Sequence, residues 1–507
     1  MTSGRDPGRR AGWMIHVGAL VLALLYVVWA PHTADLAGQT ARADLFDRSG
    51  FVPYWAGWYG GFPTTSYSLT TPALLGWFGA VWLGALSIVA TSLVAVPLLR
   101  SARRPAAGAQ LVVIVATLDV ISGRTTFAVG VVVALATLLA AERDRGVLAV
   151  LLALLTTATS PVAGVLLLVV AVALFLVDGG RRRRAFGIAV AVVVALGVIA
   201  WLSPGGGGYE PLTRTSLLIA VGTAMIAVVA PVGRRVRMVA LVSIAMLFVV
   251  FWVHSAIGAN ATRIAILGTA PAVVAASRGR ITMAFWAGLA LVLPLAQLHN
   301  DLAARGRVDT ERSFTAPLAQ AIAADPDLHG FRVEVVDTAT HWPSTYLLGP
   351  VAIARGWQRQ IDEERNPLFY GRSRLDATTY RAFLDRNAVG AIAVPSGVSL
   401  DYGAKDEAAL IATGLPYLET VWRDSHWTLY GVADAMPIVP APLVIESLTD
   451  TGVRFQAPAA GRYVVNLHYS PYLTMSGGSV SEAANGLSAV TVSRGGTFWL
   501  HAAWQVP

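Results

Sequence analysis

A carboxylate and a few guanidinium groups at the ends of long apolar runs are the residues of this sequence best suited to chemistry. Asp35 stands just past the first apolar run, about residues 12–30, in Pro31-His32-Thr33-Ala34-Asp35. Arg124 and Arg263 end other runs in polar, glycine-bearing contexts, Ser122-Gly123-Arg124-Thr125 and Gly258-Ala259-Asn260-Ala261-Thr262-Arg263. Asp119 precedes Arg124 across the same turn, and Arg42, Arg214 and His254 complete a set gathered on one side of the apolar segments. A carboxylate can deprotonate or orient an attacking hydroxyl. Arginine offers a bidentate clamp for a phosphate. With a groove for a lipid tail, the set fits transfer of a sugar from a lipid phosphate to a hydroxyl. Each residue also has a plainer reading. Asp35 suits an N-cap, Arg124 and Arg263 suit interface anchors, and Asp119 suits a partner for Arg124 across the turn. His254 reads better as an interfacial residue than as a ligand.

The elements that must position these groups begin with the loop 31–71. A connector that only reverses the chain needs about 2–8 residues, and this one is several times longer. Its middle, Ala34 to Asp47, can form an amphipathic surface helix with Asp44 and Asp47 on the solvated side. Trp58-Tyr59-Gly60-Gly61, then Pro63 and Tyr67, follow. Trp55, Trp58, Tyr59 and Tyr67 can serve as an aromatic belt. Beside glycine-permitted turns, the same rings also suit stacking on a sugar or lipid phosphate. Trp58, Tyr59, Gly60, Gly61, Tyr67, Asn260, Asp119, Arg124 and Arg263 are therefore the candidate substrate-binding residues, with Asp35 the candidate catalytic base.

Composition sets the environment. Of 507 residues, 55% are hydrophobic and 13% charged, with mean hydropathy +0.59. Soluble domains carry about 25% charged residues, so the chain reads as a polytopic membrane protein. The net charge of +8 is almost all arginine, Lys405 being the single lysine. These arginines cluster between apolar runs, where they act as cytoplasmic anchors; nothing in them points to nucleic acid. Cysteine is absent, which excludes disulfides, thiolate metal sites and cysteine nucleophiles. No set of histidines and carboxylates has metal-ligand spacing, so no metal site and no cofactor are assigned; a divalent ion arriving with a donor phosphate stays open.

Eleven apolar runs, at about 12–30, 72–99, 107–121, 126–141, 147–159, 161–178, 185–202, 216–232, 238–254, 264–277 and 281–297, give about eleven spans. Alternate exits carry the arginine clusters, beginning with Arg5, Arg9 and Arg10 and continuing with Arg100, Arg103 and Arg104, Arg143 and Arg145, and Arg181 to Arg184. The positive-inside rule then places the N-terminus in the cytoplasm and everything after about 299 outside. The first segment reads as a retained anchor. No span has an acid near its midpoint and no inverted repeat is visible, which weakens a coupled-transporter reading.

After about residue 299 the pattern changes. Strands over Phe331 to Val336 and Val389 to Pro395 alternate with helices over Ala316 to Ala324, Ala377 to Asn387 and Asp406 to Thr413, predicting an α/β domain over 299–435. Short β-rich runs then predict a β-sandwich-like module over 436–507: Val453 to Gln456, Tyr463 to Tyr469, Ser488 to Ser493 and Thr497 to Ala502. Residues 1–298 form the membrane part, including the loop 31–71. No G-x-S-x-G, Walker or H-E-x-x-H pattern makes the later half an enzyme by itself.

An acid just past the first span, a Trp-Tyr-Gly-Gly loop and a many-span bundle with a C-terminal domain resemble the GT-C superfamily of integral-membrane glycosyltransferases. The stretch Trp58-Tyr59-Gly60-Gly61-Phe62-Pro63 with Tyr67 is more specifically similar to bacterial membrane proteins labelled "6-pyruvoyl-tetrahydropterin synthase-related", and to chains labelled as transporters of the major facilitator type. Matching stretches continue at Ser122-Gly123-Arg124, Ser160-Pro161, Asn260 with Arg263, His341-Trp342, Arg355-Gly356-Trp357, Asn366-Pro367 and His426-Trp427. The resemblance implies a GT-C-like bundle, a polyprenyl-phosphate sugar donor, an envelope glycan or glycolipid acceptor, and a plasma-membrane location. For the C-terminal domain it implies acceptor binding or a lid. In many GT-C enzymes the acidic motif is a pair of adjacent carboxylates, whereas Asp35 stands alone. Two other readings remain beside it: a transporter or flippase of an envelope precursor, and a non-catalytic scaffold or glycan-binding protein.

Overall fold

The computed structural model describes residues 7–304, 306–349 and 351–505; the anchor expected at Arg5 lies outside them. Contacts divide the chain into two units. The first comprises Met1–Gln39, Tyr67–Ile199 and Tyr209–Ala303, the second Thr40–Ser66, Ala200–Gly208 and Ala304–Pro507.

All eleven apolar runs fold as helices. Seven are long and apolar enough to cross a membrane: Arg10–Trp29, Ala80–Leu98, Thr125–Glu142, Gly179–Trp201, Arg234–Trp252, Gly258–Ala276 and Arg280–Asp301. The other four, Pro105–Ile121, Gly146–Thr159, Pro161–Val177 and Arg214–Val229, are shorter. In chain order the helices are α1 Pro7–Trp29, α2 Ala34–Ser49, α3 Thr71–Phe78, α4 Ala80–Leu98, α5 Pro105–Ile121, α6 Thr125–Glu142 and α7 Gly146–Thr159. They continue with α8 Pro161–Val177, α9 Arg182–Trp201, α10 Arg214–Val229, α11 Arg234–Trp252, α12 Arg263–Ala276 and α13 Arg280–Asp301. The run expected as one span over 72–99 is two helices. Gly79 breaks it at φ 73°, a left-handed conformation that favours glycine. Small residues let the helices of this unit pack closely: Ala19, Ala23, Ala85, Ala95 and Ala109 are buried in one cluster with Ile88, Val113 and Tyr26.

The second unit holds a mixed four-stranded sheet. Its strands, counting after the short pair β1 Tyr54–Trp55 and β2 Phe62–Pro63, are β3 Arg332–Val335, β4 Val389–Pro395, β5 Leu418–Arg423 and β6 Trp427–Val432, in the order β3-β4-β6-β5. Only the β3–β4 pair is parallel. Helices α14 Arg312–Ala324, α15 Trp342–Tyr346, α16 Arg359–Arg365, α17 Ala377–Arg386 and α18 Lys405–Ala412 accompany it. The predicted sandwich follows as two antiparallel sheets. Strands β7 Val444–Thr449, β8 Gly452–Ala457, β10 Leu473–Met475 and β13 Gly496–Ala502 form one, in the order β10-β13-β8-β7, while β9 Gly461–His468, β11 Gly478–Glu482 and β12 Leu487–Val492 form the other, in the order β11-β12-β9. Phe455, Val465, Leu467, Val490, Phe498 and Leu500 from both sheets share one core.

One buried guanidinium ties the α/β part together. Arg355 donates to Asp362 at 2.8 Å, to Glu407 at 3.0 Å and to Glu334 at 3.4 Å, and its Cζ lies 3.9 Å from the centre of the Phe369 ring. Tyr380 and Tyr370 donate to Glu407 and Asp362 at 2.7 and 2.5 Å. A strand, a loop and three short segments are thereby pinned to one cation. Three carboxylates around a single arginine leave excess negative charge. Burial pushes Glu407 up to about 7, against the pull of Arg355, and burial with Glu407 alongside carries Glu334 well above the carboxylate range. A carboxyl group whose folded pKa is raised stabilises the fold below its unfolded value and loses that contribution as pH climbs through the folded value. The second unit of the full-length protein is therefore expected to melt at a lower temperature at pH 8.5 than at pH 5.5. Glu407→Gln, which keeps a neutral hydrogen-bonding side chain, should flatten that difference in thermal unfolding followed by tryptophan fluorescence.

Candidate functional site

The site in the first unit grows from one turn. Helix α5 ends at Ile121 and α6 begins at Thr125, with Ser122-Gly123-Arg124 between them. Gly123 has φ 90°, and a Cβ there would lie 2.4 Å from the Leu36 amide nitrogen and 2.7 Å from Thr33 Oγ1. Only glycine permits this approach, and it sets the turn against the start of α2, where Asp35 lies in the first helical turn.

Arg124 is the hub. Its Nε donates to Asp35 Oδ2 at 2.9 Å, Nη1 to Asp119 Oδ1 at 3.4 Å and Nη2 to Asp301 Oδ2 at 3.3 Å. The Gln297 amide, turned with its oxygen toward the guanidinium, accepts at 2.7 and 3.0 Å. Burial opposes the charge on Arg124, but Asp35, Asp119 and Asp301 outweigh it and hold the guanidinium charged. Asp119 is 3% exposed, whereas Asp35 retains 36% exposure and uses a single oxygen on Arg124. Its Oδ1 accepts no hydrogen bond among the described residues.

Arg263 is differently placed. It opens α12, its guanidinium lies over the Phe127 ring with Cζ 4.7 Å from the centre, and among the described residues it forms no ion pair. Asp119, Arg263 and Phe127 line a cavity of about 360 Å³. The rest of its wall is almost wholly alanine, leucine and valine, with Ser243 and Thr269 among the few polar exceptions. The wall follows α6 from Phe127 to Leu138, about 16 Å at 1.5 Å per residue. The cavity thus has a charged end and a long apolar body.

Tyr67 joins the same unit. Its hydroxyl accepts from Gln39 Nε2 at 2.6 Å, and Gln39 in turn accepts from Thr126 at 2.7 Å. Gln39 is one turn beyond Asp35 on α2, on the same helix face. Asn260 sits in the 3₁₀ turn Gly258–Thr262 that leads into Arg263. Trp58, Tyr59, Gly60 and Gly61 belong to the second unit, where Trp58 and Tyr59 are fully buried and offer no open ring face. Trp58 packs on Trp55 at 4.4 Å, and a Cβ on Gly356 would strike it at 2.3 Å. The Tyr59 hydroxyl donates to the Gly356 carbonyl and accepts from the Gln358 amide at 2.9 Å. Gly61 packs so tightly on Tyr54 that no side chain fits, and Arg365 donates to its carbonyl at 2.7 Å. In this structure the loop holds the second unit's core together.

Asp301 and Gln297 were not among the residues singled out from sequence, because the last span was expected to end at about 297. The helix runs four residues further and places both on the Arg124 side. The signal was there: a polar end, Gln297-Leu298-His299-Asn300-Asp301, with Gln297 and Asp301 spaced i,i+4.

No family model and no curated protein matches the chain, so the narrower family name given above gains no support. Among solved structures the chain is similar to the arabinofuranosyltransferase AftD from Mycobacteria, at 13% identity and a TM-score of 0.42 over 89% of this chain. That match covers 41% of AftD, so the chain spans about two fifths of its length. It is also similar to ArnT from Cupriavidus metallidurans in the apo state, at 15% identity and a TM-score of 0.45, over 83% of this chain and 98% of that one. A third similarity is to the same ArnT bound to undecaprenyl phosphate, at 16% identity and a TM-score of 0.43, over 84% and 99%. At such identities and TM-scores, the chemistry has to be read from the site residues themselves.

Removing the hub leaves three carboxylates without their cation. Arg124→Leu is expected to destabilise the bundle by about 3–5 kcal/mol. Adding Asp119→Leu should recover part of the loss, because it removes the most deeply buried orphan charge. Thermal unfolding of the two variants in one detergent checks both signs.

Proposed function

We propose that this chain is a membrane glycosyltransferase of the GT-C type, moving a sugar from a polyprenyl-phosphate donor to a hydroxyl of a cell-envelope acceptor on the outer face of the plasma membrane. One observation carries the reading: Asp35 and Asp119 share Arg124, and Asp119 and Arg263 cap an apolar cavity long enough for part of a lipid tail. In the reaction, Asp35 Oδ1 takes the proton of the acceptor hydroxyl as its oxygen attacks the anomeric carbon. The bond from that carbon to the phosphate oxygen breaks, and the polyprenyl phosphate leaves as an anion. Attack opposite the leaving group inverts the anomeric centre. Arg124 orients Asp35 and is already neutralised by carboxylates, so Arg263 is the better clamp for the departing charge. A guanidinium facing a low-dielectric cavity interacts strongly with a developing anion.

The apolar wall counts against a transporter for a polar precursor, which needs polar groups along its path. A partly exposed carboxylate with one oxygen uncommitted at the guanidinium favours an enzyme over a scaffold. No metal ligand set is found among the described residues, and side chains alone move the proton and meet the departing charge.

Asp35→Asn preserves size and a hydrogen-bonding oxygen while removing the base. It is expected to lower kcat by about 10²–10⁴-fold with little change in binding of the donor or in melting temperature. Arg263→Gln should instead weaken donor binding and transfer together. Transfer of radiolabelled sugar from a synthetic polyprenyl phosphate, assayed in nanodiscs, measures both. Undiminished turnover in Asp35→Asn would end the proposal.

A further inference from the structure

The second unit contains another built polar site, made of residues that the transfer chemistry does not use. His341 Nδ1 meets Asp337 Oδ2 at 2.5 Å, and the other oxygen of Asp337 accepts from Ser344 at 3.1 Å. This clamp leaves His341 Nε2 facing Asp401 Oδ1 at 3.7 Å, beyond direct hydrogen-bond reach. Arg359 Nη2 donates to the same Asp401 oxygen at 3.1 Å. The imidazole lies flat on Trp357, with ring centres 3.3 Å apart and planes within 9°. Arg359 spans Trp357 and the exposed ring of Tyr402, its Cζ 5.2 and 4.4 Å from their centres.

Two features separate this cluster from ordinary core polarity. First, His341 is held at φ 59°, ψ 3° immediately before α15. A non-glycine residue in that region is uncommon, and such strain gathers where a side chain must be aimed. Second, Asp337, His341, Ser344, Trp357, Arg359 and Asp401 surround a small cavity of about 10 Å³. That volume takes about one water-sized group.

The chemistry of the lining selects the occupant. A donor (Arg359) and two acceptors (Asp401 and, with Nδ1 carrying its proton toward Asp337, His341 Nε2) converge on one spot, a pattern that suits a hydroxyl, which donates and accepts at once. The cations present already have acid partners, so a phosphate finds no surplus positive charge. No group of three His, Cys, Asp or Glu suited to a metal is found among the described residues. We propose that the second unit binds a neutral polyhydroxylated ring, a sugar or a cyclitol, by inserting one hydroxyl or hydroxymethyl group between His341 Nε2, Asp401 and Arg359. The ring then lies outside the cavity, beside Tyr402. This site stands independently of the transferase reading, since every residue in it comes from the second unit.

The test uses the full-length protein in nanodiscs and saturation-transfer NMR, with a methyl hexopyranoside, a methyl pentofuranoside and myo-inositol as probes and inorganic phosphate as a competitor. At least one polyol should receive saturation, most strongly at the inserted group, and phosphate should not displace it. Arg359→Gln, at a half-exposed position, and His341→Asn, whose side chain tolerates the left-handed backbone, should each weaken the signal about tenfold or more, the scale of one lost charge-assisted hydrogen bond. Asp35→Asn should leave it unchanged. Absence of transfer to all three polyols, displacement by phosphate, wild-type signal in both variants, or loss in Asp35→Asn would each overturn the proposal.

Discussion

The polar cluster of the bundle depends on one guanidinium shared among three carboxylates. Inside a membrane protein a lone charge is expensive, and a charge surrounded by opposite charges is tolerated. Arg124 uses that rule to fix Asp35, Asp119 and Asp301 relative to one another although they come from α2, α5 and α13. Each depends on the others for its position. The cluster therefore sets not only which groups are present but which oxygen of Asp35 remains uncommitted. Gly123 serves the same end by geometry, since its missing side chain lets the turn reach α2.

The second unit repeats the device with a different outcome. Arg355 also gathers three carboxylates, but two are fully buried and their environment raises their pKa values. Tyrosine hydroxyls donate to its carboxylates, a ring packs on its face, and it borders a cavity with room for little more than one small group. Arg124 holds Asp119, which lines a large apolar hollow, and keeps Asp35 and Asp301 partly exposed. The same ion-pair logic thus serves structure in one place and positioning in the other, and surroundings decide which.

Much of this was legible in the sequence because its signals are long-range and redundant. Each of the eleven apolar runs bounded by arginines is helical, the run 72–99 as two helices, and β4 falls on the predicted Val389–Pro395. The meeting of Asp35, Asp119 and Arg124 was readable because all three sit at polar breaks in apolar segments. Asp301 was hidden by a helix that outlasts its apolar stretch. Strands such as Leu418–Arg423 and Gly478–Glu482 escaped because they are mostly exposed and lack an alternating apolar face. The Trp58-Tyr59-Gly60-Gly61 loop shows a different difficulty. Glycine beside aromatic rings permits close packing as readily as open stacking, and composition cannot separate the two; the cavity beneath Gly356 takes the ring of Trp58.

The hollow beneath Arg263 also fixes where selectivity could come from. Its wall offers apolar contact but few polar groups beyond its charged end. A lipid tail leaving the bilayer for such a wall exchanges one greasy surrounding for another, so its methylenes gain little by entering. Preference for one lipid over another would then arise at the charged end, and tails of different length would be treated much alike.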